Sequence, residues 1–373
     1  MGKGAILLTP TQRIAWLRLI RTPNVGPQTF RQLLNREGSA EAAIAALPEL
    51  ARKAGRSPRI PSIAQAEDEL AGIEKLGGRL VAMGEADYPP LLQYIGGAPP
   101  LVSVIGSGTR LSLERTVSIV GARNASSAGQ KMTGILASDL GDTGYTIVSG
   151  LARGIDAAAH SAALRTGTLA VLAGGLDHIY PNENVPLANA IIEHGGMLLT
   201  EMPLGWEPRA QDFPRRNRLV SGISLGTLVV EAAKRSGSLI TARLAVEQNR
   251  EVFAVPGSPL DPRSEGANHL IRDGAQLITG AEDIINALQD YRLRRPNLLE
   301  SDWLPDTDFF DTAPPTEDER SRLLEALSVT PTPVDDLIRT TGLGIGQVQT
   351  LLLELDLDGR IEWSAGQLVA LSY

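Results

Sequence analysis

Between Val117 and Ala275, short apolar runs repeatedly open straight onto glycine-bearing loops. Four such units stand at Val117–Arg123, Ile147–Asp156, Ala170–Gly175 and Leu228–Thr241. A short apolar run without polar alternation is the mark of a strand buried on both faces, as parallel sheets provide. The expected strands are Val117–Val120, Thr146–Ser149, Leu169–Leu172, Met197–Thr200, Leu225–Val230, Val252–Val255 and Gln276–Ile278. The expected helices are Ser127–Asp142, Ile155–Arg165, Asn184–His194, Asn217–Ile223, Leu239–Gln248 and Glu282–Leu288. Strand and helix in alternation imply an α/β fold with a Rossmann-like, mostly parallel sheet. Its glycine loops then collect at the carboxyl edge, where backbone N–H groups can point at anions.

The chain of 373 residues is too long for one compact core, so further domains flank the sheet. Residues 1–80 read as a small N-terminal helical domain. Helices over residues 11–50 are interrupted by the turn Thr22–Pro27, with Thr29–Asn35 and Ala40–Leu47 following. The outline is that of a helix-hairpin-helix, although proline stands where the usual turn carries a second glycine. Leu50–Pro61 reads as a linker, Ile63–Leu76 as a helix and Arg79–Met83 as a strand. The proline-rich stretch Tyr88–Leu101 is expected to run extended over the surface of the next domain. Residues 81–290 form the core, and 291–316, acidic and proline-rich, a linker. In 317–373, helices at Arg320–Leu327, Pro333–Thr340 and Gly346–Leu357 precede a hairpin, Arg360–Trp363 and Gln367–Leu371. That is the pattern of a winged helix. Its recognition helix carries Glu354, Asp356 and Asp358 and no lysine or arginine, so a duplex groove would repel it. A protein-contact or regulatory module is the expectation.

Cysteine is absent, which excludes disulfides, zinc-thiolate sites and cysteine nucleophiles. The four histidines lack metal-ligand spacing, and no run is long enough to span a bilayer. A cytoplasmic protein without metal or membrane contact is expected. A net charge of −8 argues weakly against a polyanionic partner, but Arg215, Arg216 and Arg218 form a local basic cluster. The P-loop pattern is missing, and Gly121 is followed by Ala122-Arg123 where a dinucleotide loop needs glycine. The serine-nucleophile elbow is missing too. Asp156 and His160, four apart, share a helix face and form either an acid–base pair or a structural one. What remains is anion recognition at strand ends. Gly121 and Arg123 stand after the first strand, Ser149, Gly150, Arg153 and Gly154 after the second, and Gly174 and Gly175 after the third. Ser236, Gly237 and Ser238 stand at a helix N-terminus. Singly, each glycine is explained by a tight turn; together with Arg123, Arg153, Arg216 and Arg218 they suit a chain of phosphates.

These residues resemble the DNA-processing protein A family (DprA, also called Smf). The resemblance rests on Tyr88-Pro89, Pro99-Pro100-Leu101, Ile119–Arg123, Ser149–Asp156 with His160, Tyr180-Pro181 and Phe213–Arg218. It continues through Glu231, Ser236–Thr241, Val255–Gly257, Gly266–Asn268 and Gly274-Ala275. It implies a non-enzymatic, homodimeric binder of single-stranded DNA that protects the strand and passes it to a RecA-type recombinase during DNA uptake and recombination. No cofactor is implied. By position, Arg123 would be the main phosphate contact. Gly121, Ser149, Gly150, Arg153 and Gly154 would line the track, Arg216, Asn217 and Arg218 would flank it, and Ser236–Ser238 would offer a helix N-terminus. Several members carry lysine where this chain has Asn182, followed by Glu183, which implies weaker and less salt-sensitive binding. Tyr180 and Phe213 are the aromatic residues nearest these loops. The alternative is a hydrolase on a nucleotide or phosphoribosyl compound. Its usual glycine-rich Pro-Gly motif is absent, and Pro256-Gly257-Ser258 stands in its place.

Overall fold

A computed structural model describes residues 7–53, 58–294, 316–364 and 368–372. Packing divides the chain into two compact units. One holds Glu69–Ile95 and the described part of Val102–Ser301, and the other holds Leu7–Asp68, Gly96–Leu101 and the described part of Asp302–Tyr373.

The chain begins with helices α1 (Pro10–Ile20), α2 (Pro27–Glu37), α3 (Ala40–Lys53) and α4 (Ile63–Lys75). Thr9 and Gln12 form a capping box ahead of α1, and Pro10 occupies the first helical position, where its missing N–H has no intrahelical role. Gly38 ends α2 in the left-handed conformation. Trp16 meets Phe30 edge to face with centroids 5.1 Å apart, and Leu17, Leu19, Leu33 and Leu47 are fully buried around them. The expected linker begins late, because α3 continues to Lys53; residues 54–57 lie outside the described residues.

The sheet contains β1 (Gly78–Ala82), β2 (Leu101–Ile105), β3 (Thr116–Val120), β4 (Thr146–Ser149), β5 (Thr168–Val171) and β6 (Met197–Thr200). It is completed by β7 (Gly226–Val229), β8 (Glu251–Ala254) and β9 (Gln276–Leu277). Their order across the sheet is β1-β2-β6-β5-β4-β3-β7-β8-β9. Pairing is parallel from β6 through to β9, and β2 joins β6 antiparallel. The intervening helices are α5 (Ser127–Asp142), α6 (Ile155–Ala163), α7 (Val185–Glu193), α8 (Asp212–Ile223), α9 (Gly237–Glu247), α10 (Glu265–Arg272) and α11 (Ala281–Arg294). Leu136, Leu140, Ile155, Ala159, Ile284 and Leu288 share one core with Val117, Ile119, Ile147, Leu228 and Phe253. The α/β reading therefore holds. The chain leaves β3 for β4 on one side and returns to β7 on the other, so a crevice opens between the carboxyl ends of β3 and β7.

Two local expectations fail. Helix α8 starts at Asp212 rather than Asn217, which places Phe213 and Arg216 on one helix with Asn217. The stretch Tyr88–Leu101 is not a surface run. Pro90–Tyr94 forms a 3-10 turn with proline at its start, Tyr88, Leu91 and Leu92 are buried, and Leu101 opens β2. Proline blocks a sheet interior but suits the first residue of a helical turn. Arg250 stabilises the arrangement: buried, it donates through Nη2 to the carbonyls of Leu91 (2.8 Å) and Gly222 (3.3 Å).

The C-terminal elements are α12 (Glu317–Ala326), β10 (Thr332–Pro333), α13 (Val334–Thr341), α14 (Ile345–Leu357), β11 (Ile361–Ser364) and β12 (Leu368–Leu371). The three strands pair in the order β10-β12-β11, and Leu323, Leu337, Val348, Leu351, Leu352 and Val369 form the core of this winged helix. The expected linker at 291–316 overlaps the end of α11, and its residues 295–315 lie outside the described residues. Glu354 and Asp358 were expected on an exposed acidic face. Both are buried, and Glu354 is ion-paired to Arg320 of α12.

Replacing Arg250 by alanine leaves two buried carbonyls without their donor. We expect a loss of about 2–4 kcal/mol in urea unfolding of the sheet unit, with no shift in the far-ultraviolet spectrum of the native state.

Candidate functional site

Three loops converge where the sheet order reverses. The loop after β3, from Gly121 onward, ends at Ser126, which caps α5 by accepting from the Gly129 N–H at 2.9 Å. Buried Glu231, just beyond β7, accepts from the Ser126 N–H (2.9 Å) and hydroxyl (2.5 Å). One carboxylate thus ties the two lips of the crevice together.

The loop after β4 is held from beneath. Asp156, in the first turn of α6, accepts from the N–H groups of Gly150 (3.1 Å) and Ala152 (3.3 Å), while the Asn184 amide donates to the Leu151 and Ala152 carbonyls. Gly154 has φ +73°, and a Cβ there would stand 2.3 Å from the Ala122 carbonyl oxygen and 2.7 Å from that of Arg123. Only glycine lets this backbone reach the backbone that carries Arg123.

Arg216 lies under the same loop. It is 6% exposed, and its Nη1 donates to the carbonyls of Gly150 and Val171. A Cβ on Gly150 would come within 2.5 Å of this guanidinium. Burial brings Arg216 down to about 10, the Asp156 charge opposing and Arg123 adding to the shift, so it remains a cation at neutral pH. Burial likewise raises Asp156 above the ordinary carboxylate value, against the nearby Arg216 charge and the two N–H donors. His160 is fully buried, with Nδ1 2.7 Å from the Thr168 hydroxyl, which itself donates to the Ile147 carbonyl (2.8 Å). The imidazole is therefore the donor to Thr168. Burial, helped by Arg216, lowers His160 to about 3. Asp156 and His160 are each bonded to structural partners, which selects the structural reading of that pair.

Above this layer the site is open. Arg123 is exposed, with its guanidinium 5.5 Å from the Phe213 ring centre. Tyr180, half exposed, meets Phe213 edge-on with centroids 5.3 Å apart. Arg123, Arg153, Tyr180, Phe213 and Arg216 line a pocket of about 320 Å³. A second hollow of about 720 Å³ shares Arg123, Phe213 and Arg216 and continues to Arg235, Ser236, Ser238 and Arg263. Ser236 caps α9, leaving that helix start as an anion-facing end of the hollow. Most other cations here already hold carboxylates. Arg153 pairs with Glu183 at 2.6 Å, Arg215 (3.1 Å) and Arg218 share Glu201, and Arg263 pairs with Asp261 at 2.8 Å.

Of the residues singled out in the sequence, Gly121, Arg123, Gly150, Arg153, Arg216, Asn217, Ser236, Gly237 and Ser238 line these two hollows. The others do not. Ser149 is buried and donates to the Ile119 carbonyl at 2.6 Å, and Gly154 supports Arg123 from below. Gly174 and Gly175 are buried against the backbone of Trp206 and Pro203. Asn182 is exposed in the 3-10 turn Asn182–Asn184, and Arg218 is drawn down onto Glu201. Arg263 and Asn124 also line the larger hollow and had no signal of their own in the sequence, while Arg235, also lining it, belongs to the Leu228–Thr241 unit. Among the described residues, no helix is long and apolar enough to cross a membrane.

Three family models together match most of the chain. Residues 79–289 match the family model for DNA recombination-mediator protein A, residues 10–72 that of the DprA-like N-terminal HHH domain, and residues 310–367 that of the DprA winged helix domain. Protein Smf of Escherichia coli is 40% identical over 311 residues, covering 82% of this chain and 80% of its own. DNA processing protein DprA of Bacillus subtilis is 41% identical over 235 residues, 62% of this chain and 77% of its own. Among solved structures, DNA processing protein A of Streptococcus pneumoniae superposes with a TM-score of 0.55 at 38% identity, over 61% of this chain and 78% of its own. The Helicobacter pylori protein, described for its single-stranded DNA binding mode, gives 0.51 at 29% identity, over 57% of this chain and 96% of its own.

The His160 shift has a consequence for stability. Below its ordinary value of 6.5 the unfolded chain binds a proton that the folded chain refuses until about pH 3. Its contribution to stability is therefore lost as pH falls through that window, by about 1.4 kcal/mol per pH unit. Urea unfolding between pH 7 and pH 5 should show this acid-side slope, and His160→Gln should flatten it. Equal slopes in the two proteins would refute the assignment.

Proposed function

The chain belongs to the DNA recombination-mediator protein A family, and from that premise we propose that it binds single-stranded DNA in the crevice between β3 and β7. The observation that carries this reading is Arg123. It is exposed and stacked near an aromatic ring, and no carboxylate among the described residues pairs with it. A guanidinium beside an aromatic ring offers both partners that a nucleotide of a single strand needs, one for phosphate and one for a base face. The two contiguous hollows suit successive nucleotides better than a lone nucleotide, since Arg123 and Phe213 are shared walls and the start of α9 lies further along.

The proposed protein is not an enzyme. The histidine–carboxylate pair at the crevice, Asp156 and His160, is buried and spent on structural bonds, Asp156 to the Gly150 and Ala152 N–H groups and His160 to Thr168. It acts in the cytoplasm as a homodimer that protects the strand and loads a RecA-type recombinase on it during DNA uptake and recombination. We read residues 1–80, 81–290 and 317–373 as its helical, DNA-binding and winged-helix domains, joined by a linker at 291–316. Within the binding track, Arg123, Arg153, Asn217, Arg235 and Ser236–Ser238 touch the strand, while Gly150, Gly154 and Arg216 shape the surface beneath it.

Arg123→Ala should weaken binding of a labelled single-stranded oligonucleotide by about 10–100-fold and lower the salt slope by about 0.7, one phosphate contact. Fluorescence anisotropy over a salt series, with duplex as the comparison, checks both; unchanged affinity would remove the proposed anchor.

The Arg153–Glu183 pair adds a second expectation. A phosphate that takes Arg153 must displace an internal carboxylate and so gains little there. Glu183→Gln should tighten binding by about 2–5-fold and steepen the salt slope, and adding Arg153→Ala should cancel the gain.

A further inference from the structure

The acidic half of α14 is the one prominent sequence feature that the DNA-binding reading leaves unused. The recognition helix of a winged helix ordinarily presents its outer face to a groove. In this chain the inner face of α14 is formed by Val348, Leu351, Leu352 and Leu355, which belong to the winged-helix core. Leu353 and Asp356 are three residues apart and share another face. Leu353 is 2% exposed without belonging to that core, and Asp356 is partly buried. The covering elements come from the other end of the chain, because α14 packs on α2 and α3. Thr29, fully buried in the first turn of α2, donates its hydroxyl to the Asp356 carboxylate.

We propose that the winged helix serves as an intramolecular clasp, with α14 docked on the chain's own helices α2 and α3 and closed by the Thr29–Asp356 hydrogen bond. The recognition face is thereby withheld from any outside partner until the clasp opens. A groove reader would present basic side chains at Leu353 and Asp356. Here the positions are filled by an apolar residue and a single hydrogen-bonding acid, which suit a mostly apolar helical face offering one buried hydroxyl. Partial burial raises Asp356 to about 6, against its hydrogen bond to Thr29, as expected for a carboxylate partly covered by the docked helices. The pairing joins residues 327 positions apart, so it forms only when both ends of the chain have folded.

The natural absence of cysteine makes the test clean. In the full-length double variant Thr29→Cys, Asp356→Cys, mild oxidation should give a disulfide within one chain, with a yield independent of protein concentration. Crosslinks only between copies, or two thiols that stay free while the protein remains folded, would overturn the proposal. Amide exchange of Leu351–Leu355 provides the second readout. Thr29→Val removes the donor and should speed exchange about tenfold. Asp356→Asn keeps an acceptor and should stay within about twofold of wild type. Leu353→Asp, outside the winged-helix core, should open the clasp without unfolding the module, speeding exchange of Leu351–Leu355 while Leu323 of α12 and Leu337 of α13 stay protected. Equal exchange in all four proteins would sink the clasp. Single-strand affinity, set by Arg123 in the other unit, reports separately on the DNA-binding reading.

Discussion

The guanidinium of Arg216 organises the crevice around a charge that is almost wholly buried beneath it. It comes from α8, crosses beneath the loop after β4, and binds the carbonyl of Gly150 together with that of Val171 at the end of β5. Its counter-charge is Asp156, which in turn collects the N–H groups of Gly150 and Ala152. A buried cation is tolerated only when carbonyls and a carboxylate replace its hydration, and that demand dictates the shape of the loop. Glycine is required at 150 because the guanidinium occupies the space of a Cβ, and His160 stays neutral partly because the same charge is near.

Surface chemistry follows from what this layer leaves free. Gly154 holds the backbone of Arg123 in place, and Phe213, from the helix that supplies Arg216, lies close to its guanidinium. Elsewhere around the rim, Arg153, Arg215, Arg218 and Arg263 already hold carboxylates. A phosphate that takes one of these cations must first displace its internal carboxylate. On the proposed reading, affinity is therefore concentrated at Arg123.

A different use of carboxylates appears in the other unit. Glu354 pairs with Arg320 inside the winged helix, while Asp356 meets Thr29 across the two ends of the chain. Acidic residues on a helix usually signal a solvated face. Their burial here shows how a charge count alone can misjudge direction: each of these carboxylates has a partner supplied by an element remote in sequence.

Much of the architecture was legible from local pattern. Unbroken apolar runs ending in glycine determined β3 to β8 to within a residue or two, and the period of the helical stretches located α5, α6 and α7, because burial on two faces or along one stripe leaves a strong mark. Arg123, Gly121, Gly150 and Ser236–Ser238 were legible as residues of the crevice for the same reason, being attached to strand ends or a helix start. The 3-10 turn at Pro90–Tyr94 and strand β2 were not, since proline there signals only what the backbone cannot do. Nor could local pattern separate Arg216 from Arg123, or foresee Arg263 at the crevice: a side chain's direction depends on which carbonyls and carboxylates the fold brings to it. The sequence by itself determined the order of strands and helices and the loops at which they turn. Tertiary structure alone decided which charges are buried, which are paired and which face outward, because Coulomb and desolvation energies depend on distances between residues far apart in the chain.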